Sequence, residues 1–205
     1  MNQGLFGAIS SLAGVAMGSA LAWLREALAH RTMRERSARY LAIRVICLLD
    51  KYVEACASVA TDDGLDHGQP DEEGCRSPQV QAPEAPAFPG DLDWRSIDHS
   101  LAYRLLSMPN AAEAAEHSIS VASEYQAGPP DYEEYFEERQ DQYAMLGLAA
   151  HALTEELRNR YGIPQLDIQV WNPVEQMREA RQQVEEARRK RKERLLASPT
   201  LSGLR

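Results

Sequence analysis

Hydrophobic and polar positions along the chain follow helical spacing almost throughout. Leu41, Val45, Leu48, Tyr52 and Ala55 recur at steps of four and three, and Ala42, Ile46, Leu49, Val53 and Cys56 repeat those steps one position later. The result is a broad apolar face opposite Arg39, Arg44, Asp50, Lys51 and Glu54, the pattern of a helix packed in a bundle. Later segments repeat the theme. Ile97, Leu101, Leu105 and Met108 share one face of a short helix in 93–108, with Ser96 as the expected N-cap. Pro109 should break it, and Asn110 with Glu113 should cap a further helix to about Ala127, its face formed by Ala114, Ser118, Val121 and Tyr125. After Gly128-Pro129-Pro130, Asp131 and Glu134 resemble a capping box, and Phe136, Tyr143, Leu146, Ala150, Leu153 and Leu157 draw an apolar stripe that Gly162 and Pro164 end. Asn172-Pro173 with Glu175 then signals another start, with proline at the first helical position. Apolar positions thin out from Val174 to Leu196, so this last helix is expected to be solvated for most of its length.

Two stretches depart from that spacing. Leu5–Leu24 holds twenty residues without a charge, and at ~1.5 Å per residue it measures about 30 Å, one hydrocarbon thickness. Trp23 suits a headgroup boundary, and Gly14 with Gly18 makes a GxxxG step that lets another membrane helix approach. A signal peptide would explain Ala20-Leu21-Ala22, but Met1–Gly4 lacks a basic n-region. A buried helix of a soluble domain is the other competitor, because three glycines and three serines dilute the run. The expectation is a transmembrane anchor. From Thr61 to Asp93 the chain is instead rich in Asp, Glu, Gly, Gln and Pro, and reads as a long loop or linker.

Charge sharpens this division. The net charge is −9, which argues against a nucleic-acid partner, since phosphate contacts need a positive surface. Residues 61–142 hold nineteen carboxylates against four arginines, whereas Arg25 to Arg44 holds six arginines against Glu26 and Glu35. Under the positive-inside rule, cations after the span place the N-terminus outside and the body in the cytoplasm. The run Arg188, Arg189, Lys190, Arg191, Lys192 and Arg194 is the strongest local electrostatic feature. It is a solvated helix end suited to the macrodipole, or a contact for anionic lipid or an acidic partner, which includes the chain's own acidic segment.

Chemistry is harder to find. Cys47, Cys56 and Cys75 are too few and too irregularly spaced for a disulfide framework, and the first two read as small core residues. Cys56, His67 and Cys75 match no common zinc spacing, and whether they meet in space is open. Asp62-Asp63 through Glu73 lacks the alternation of a calcium loop, and Glu133, Glu134, Glu137 and Glu138 lack the ExxH partner of a bundle metal site. His99, His117 and His151 have no visible nucleophile, and no phosphate loop or serine elbow occurs. No cofactor and no catalytic residue is assigned.

The sequence therefore predicts a mainly α protein in five segments. These are a single transmembrane helix (1–24), a juxtamembrane and bundle helix (25–60), an acidic Pro-rich loop (61–93), a helical body (94–171) and a charged C-terminal helix and tail (172–205). The expected function is that of a membrane-anchored cytoplasmic interaction or assembly protein, with a protein partner or a homo-oligomer formed through the anchor or bundle helices. The alternative is a small helical enzyme or metal-binding domain whose ligands meet only in the fold.

Overall fold

The computed structural model describes residues 3–125, 127–165 and 171–197, with side chains for Trp23 and from Arg25 onward. It is 71% helix, and among the described residues there is no strand. The elements are α1 (Gln3–Ala60), a 3-10 turn at Trp94–Ser96, α2 (His99–Leu106), α3 (Met108–Tyr125), α4 (Glu133–Tyr161) and α5 (Pro173–Ala197).

Helix α1 runs for 58 residues, about 87 Å at the helical rise. No glycine or proline interrupts it between Ser19 and Ala60. Its C-terminal half is the axis of the bundle. Leu41, Ala42, Val45, Ile46, Leu49, Tyr52, Val53 and Cys56 are all buried, as their spacing requires. Cys47 is not, because one step past Ile46 turns it to the outer face; the expectation that it belongs to the core fails.

Among the described residues no helix is long and apolar enough to cross a membrane. This overturns the single-pass topology and the outside/cytoplasmic orientation drawn from it. The expected span is continuous with a helix that from Arg25 onward carries Arg25, Glu26, Arg31, Arg34, Glu35 and Arg36, and its described apolar face closes on protein. Residues 5–22 and Leu24, with Gly14 and Gly18 among them, lie outside the residues whose side chains are described.

Helix α4 packs along α1 and carries the expected stripe, for Phe136, Tyr143, Leu146, Ala150, Leu153 and Leu157 are all buried. Each fully buried Leu of this core contributes ~1.5–3 kcal/mol of burial. Gly147 lets three helices meet, since a Cβ there would lie 2.3 Å from Met177 Sδ of α5 and 2.8 Å from Cys56 Cβ of α1. The start of α4 differs from the capping box. Tyr132, in the left-handed region at φ 47°, takes the N-cap position, which leaves Asp131 one residue too early to cap.

Other caps and faces shift in the same way. Ser96 closes the 3-10 turn by donating its hydroxyl to Asp93 O, so Asp98 caps α2, accepting from the Ser100 and Leu101 amides. Pro109 does not break the chain but sits in the first turn of α3, where its missing N–H costs nothing. With the helix starting at Met108, its buried face is Ala112, Ala115, Ile119 and Ala122, not Ala114, Ser118, Val121 and Tyr125. Small alanines let α3 close on α4. Helix α5 begins as expected, with Asn172 Oδ1 accepting from the Val174 and Glu175 amides. It is less solvated than its composition suggests, because Pro173, Met177, Ala180 and Val184 are buried against the bundle.

The 61–93 segment is irregular, but its second half is no free linker. Val80, Ala85 and Phe88 pack on the core and Leu92 is buried, so residues 80–92 form a strap beside α1.

Candidate functional site

The outward face of α1 is the most unusual surface of the molecule. Between Arg25 and Arg36 every side chain is exposed except half-buried Ala27, so this part of the helix projects from the bundle as an arm. Its first tertiary hydrogen bonds come from Arg34, which reaches the carbonyls of Ser96 and Arg95. Along the side opposite the buried face stand Ala29, Met33, Arg36, Tyr40, Ile43 and Cys47, at alternating steps of four and three. Met33 is 61% exposed, Tyr40 57% and Ile43 43%. Arg44 lies over the Tyr40 ring, 5.6 Å from its centre, and donates to Asp91 of the strap at 2.6 Å. That bond holds the Asp91 carboxyl below its ordinary range.

Two depressions flank this ridge where Cys47 and Lys51 stand. On one side the strap residues Pro83–Ala87 form a shallow groove. On the other a cleft of about 780 Å³ lies between α1, α4 and the start of α5, lined by Asp50, Glu54, His151, Glu155, Arg158 and Trp171 among others. Arg158 is its anchor, donating to Asp50 at 2.6 Å and to Glu155 at 3.0 Å. Burial pushes the Asp50 carboxyl above its ordinary value, against the opposing pull of Arg158. The cleft is mixed in character, and two of its carboxylates, Asp50 and Glu155, are engaged by Arg158.

The C-terminal basic run divides. Arg188 reaches Glu138 at 2.8 Å and Asp141 at 3.0 Å, and Arg191 reaches Glu137 at 2.6 Å and Glu133 at 3.1 Å. Arg181, about two turns earlier, adds 2.8 Å to Asp141. These arginines thus face the chain's own acidic helix, and they are the reason that Glu137 and Asp141 tolerate burial. Arg189, Lys190 and Lys192 are exposed, and Arg194 donates to Lys190 O.

A second charged cluster escaped the sequence reading. Asp62, buried after the end of α1, accepts from Arg139 at 2.8 Å, from the Gly64 amide at 2.9 Å, and from the Gln79 and Val80 amides at 3.0 and 2.9 Å. Arg139 also donates to Val80 O. Burial alone would raise the Asp62 carboxyl, but the Val80 and Gly64 amides and Arg139 outweigh it and hold the group below its ordinary value. Gly64 is required here twice, by φ +77° and because a Cβ would strike the Phe136 ring at 2.2 Å. The node is a structural latch in which both carboxylate oxygens are engaged.

The candidate metal set does not assemble. Cys56 is wholly buried, with its thiol pushed up to about 12 by burial, whereas the His67 side chain is 97% exposed. Cys75 is half-buried in a turn organised by Asp71, which accepts from the Cys75 amide at 2.7 Å. Among the described residues no group of three or more His, Cys, Asp or Glu could hold a metal ion. Compared with family models, with characterised proteins and with solved structures, the chain matches none.

Met33, Tyr40 and Ile43 are the candidate residues that sequence reasoning passed over. The four-three alternation that they form with Ala29, Arg36 and Cys47 was legible, but it lies opposite a broader apolar face on the same helix, on a side that also carries cations and so read as the solvated one.

Proposed function

We propose that this chain is a helical interaction and assembly protein that engages protein partners through the outer face of α1. The observation that carries this reading is the arm, a helix exposed around nearly its whole circumference from Arg25 to Arg36, whose stripe of Ala29 and Met33 continues as exposed Tyr40 and Ile43 on the outer side of the bundle half. Helical segments gain most of their stability from packing an apolar face, so a projecting helix with such a stripe is complete only when something covers it. Its cations, Arg25, Arg31, Arg34 and Arg36, favour an occupant that offers carboxylates as well as apolar surface. No catalytic activity is inferred. In the cleft Arg158 holds Asp50 and Glu155 as ion pairs, and Cys56 is inert in the core.

The test is chemical crosslinking and affinity capture with the full chain and with Met33→Glu/Ile43→Glu, two exposed positions whose change leaves the core untouched. Species recovered with the wild-type chain, further copies of it included, should be lost with the variant while the circular dichroism spectrum is unchanged. The same species recovered at the same yield with both proteins would refute the reading.

A further inference from the structure

We propose that the occupant of this face is a second copy of the chain, with the two α1 helices antiparallel about a two-fold axis near Ala38. The inference rests on the reading of α1 as an interaction surface and adds its partner and register. The spacing of Ala29, Met33, Arg36, Tyr40, Ile43 and Cys47 is the a/d alternation of a two-stranded coiled coil. Antiparallel pairing about residue 38 sets Ala29 against Cys47, Met33 against Ile43 and Arg36 against Tyr40. Each apolar residue then meets an apolar one, and the one cation of the seam meets an aromatic ring. That ring already carries Arg44 on one side at 5.6 Å, and guanidinium groups are attracted to ring faces. Glu26, beyond the seam, comes nearly level with Lys51. A parallel, in-register pair would instead put Arg36 against Arg36 and leave both cations without a carboxylate in the seam.

The surroundings fit the same register. The arm of one copy, from Trp23 to Arg36, lies along the ridge from Tyr40 to Glu54 of the other. That ridge stands open between the strap groove and the Asp50/Trp171 cleft, both of which border Cys47 and Lys51. Trp23, 71% exposed at the end of the described arm, comes within one residue of the level of Glu54 at the mouth of the cleft. Charge is complementary at the ends of the contact, where the arginine-rich arm runs past the exposed Glu54 and Glu84 and its one nearby carboxylate, Glu26, comes close to Lys51 of the ridge. An isologous contact of this kind uses each arm once and closes at two copies.

The native thiol at 47 reports the register. In the proposed dimer the two Cys47 residues are about 27 Å apart along the helix axis, far beyond the reach of a disulfide, whereas position 29 of one copy lies beside Cys47 of the other. Positions 29 and 47 of one chain are also about 27 Å apart, so any bond between them joins two molecules. Ala29→Cys in a Cys75→Ser background, oxidised with diamide, which takes up the two electrons and two protons released by the thiols, should give a covalent dimer that further Cys47→Ser abolishes. The background chain should stay uncrosslinked. In sedimentation the full chain should dimerise, and Met33→Glu/Ile43→Glu should weaken the dimer about tenfold or more with unchanged helix content. Efficient Cys47-to-Cys47 crosslinking, or a dimer that persists at full strength in the double variant, would overturn the antiparallel register. A monomer across the micromolar range would overturn self-pairing altogether. In that last case loss of other captured proteins from the double variant would leave the broader reading of α1 standing, so the two failures are distinguishable.

Discussion

Asp62 and Arg139 form an ion pair whose side chains are 1% and 4% exposed, while the arginines that clasp α5 to α4, Arg188 and Arg191, keep 38% and 25% of their side-chain surface in solvent. Both clusters join arginine to carboxylate at 2.6–2.8 Å. Their surroundings differ. At the node, four fixed donors converge on one carboxylate, three of them backbone amides that cannot leave without unfolding the loop. In the seam, Arg188 and Arg191 share Glu133, Glu134, Glu137, Glu138 and, together with Arg181, Asp141, and each of the two can trade one carboxylate for another. The node therefore acts as a lock on one conformation, tying the end of α1, the start of the strap and α4 together. The seam buries Glu137 as well, but its arginines stay partly in solvent, which leaves it the more open of the two to water and salt.

Breaking the lock gives the largest expected effect. Arg139→Met leaves a buried carboxylate with amide donors and no cation, which costs about 3–5 kcal/mol in a chemical denaturation measurement. Asp62→Asn/Arg139→Met should cost less than the single Arg139 change, because no charge is then stranded. If Arg139→Met proves no more costly than loss of a seam arginine, burial is not what separates the clusters.

Acid probes the same node. The Asp62 carboxyl is held below its ordinary value of 3.8, so its contribution is fully present above that value and is lost as pH falls through the lower folded value. Each unit of depression is worth about 1.4 kcal/mol. Below pH 3.8 the wild-type chain should lose stability more steeply than Asp62→Asn, whose starting stability is lower but whose residue 62 has no proton to bind. Parallel stability curves for the two proteins across that interval would show that Asp62 is not depressed by the fold.

The seam should answer to salt. Arg188→Gln/Arg191→Gln is expected to cost about 1–2 kcal/mol in low salt and less in about 1 M NaCl, where the screening length is about 3 Å. Amide exchange should rise in 186–197 while 174–184, anchored by Met177, Ala180 and Val184, stays protected. Equal protection along the whole helix in the variant would mean that packing, not charge, holds its distal half.

These clusters also mark how far the sequence could be read. Apolar periodicity found the bundle face of α1 and the stripe of α4, because burial repeats every three to four residues and leaves its mark at each one. Caps were read less well: whether Ser96 or Asp98 closes a turn depends on a 3-10 turn that either residue permits. The α3 face was misplaced because alanine is buried and exposed alike, so Ala112 and Ala114 look equivalent in one dimension. Asp62 and Arg139, 77 residues apart, lie one in an acidic loop and the other on an acidic helix, and nothing local distinguishes them from solvated charges. Arg188 and Arg191 were read as part of a charge run with the chain's own acidic segment among its possible contacts, but which of the six cations face inward is set by the helix pairing. The uncharged N-terminal run shows the opposite failure, a strong local signal read as a membrane span where the described helices contain none.

The smallest effect is expected where the bond looks best. Arg104 donates to Glu156 at 2.6 Å, linking α2 to α4 at a distance as short as any in the seam. Yet the two side chains keep 46% and 38% of their surface in solvent, well above the Asp62 pair. Water competes for both partners in the folded state, and two long side chains lose rotamer freedom to hold the geometry. Arg104→Gln should therefore change stability by no more than about 0.5 kcal/mol, and added NaCl should erase even that. The series Arg139, Arg188 with Arg191, then Arg104 would thus fall in order of exposure at nearly constant distance. A loss at Arg104 comparable to that at the seam, measured under identical conditions, would show that length of contact and not burial sets the scale, and the contrast between node and seam would have to be argued from the amide donors alone.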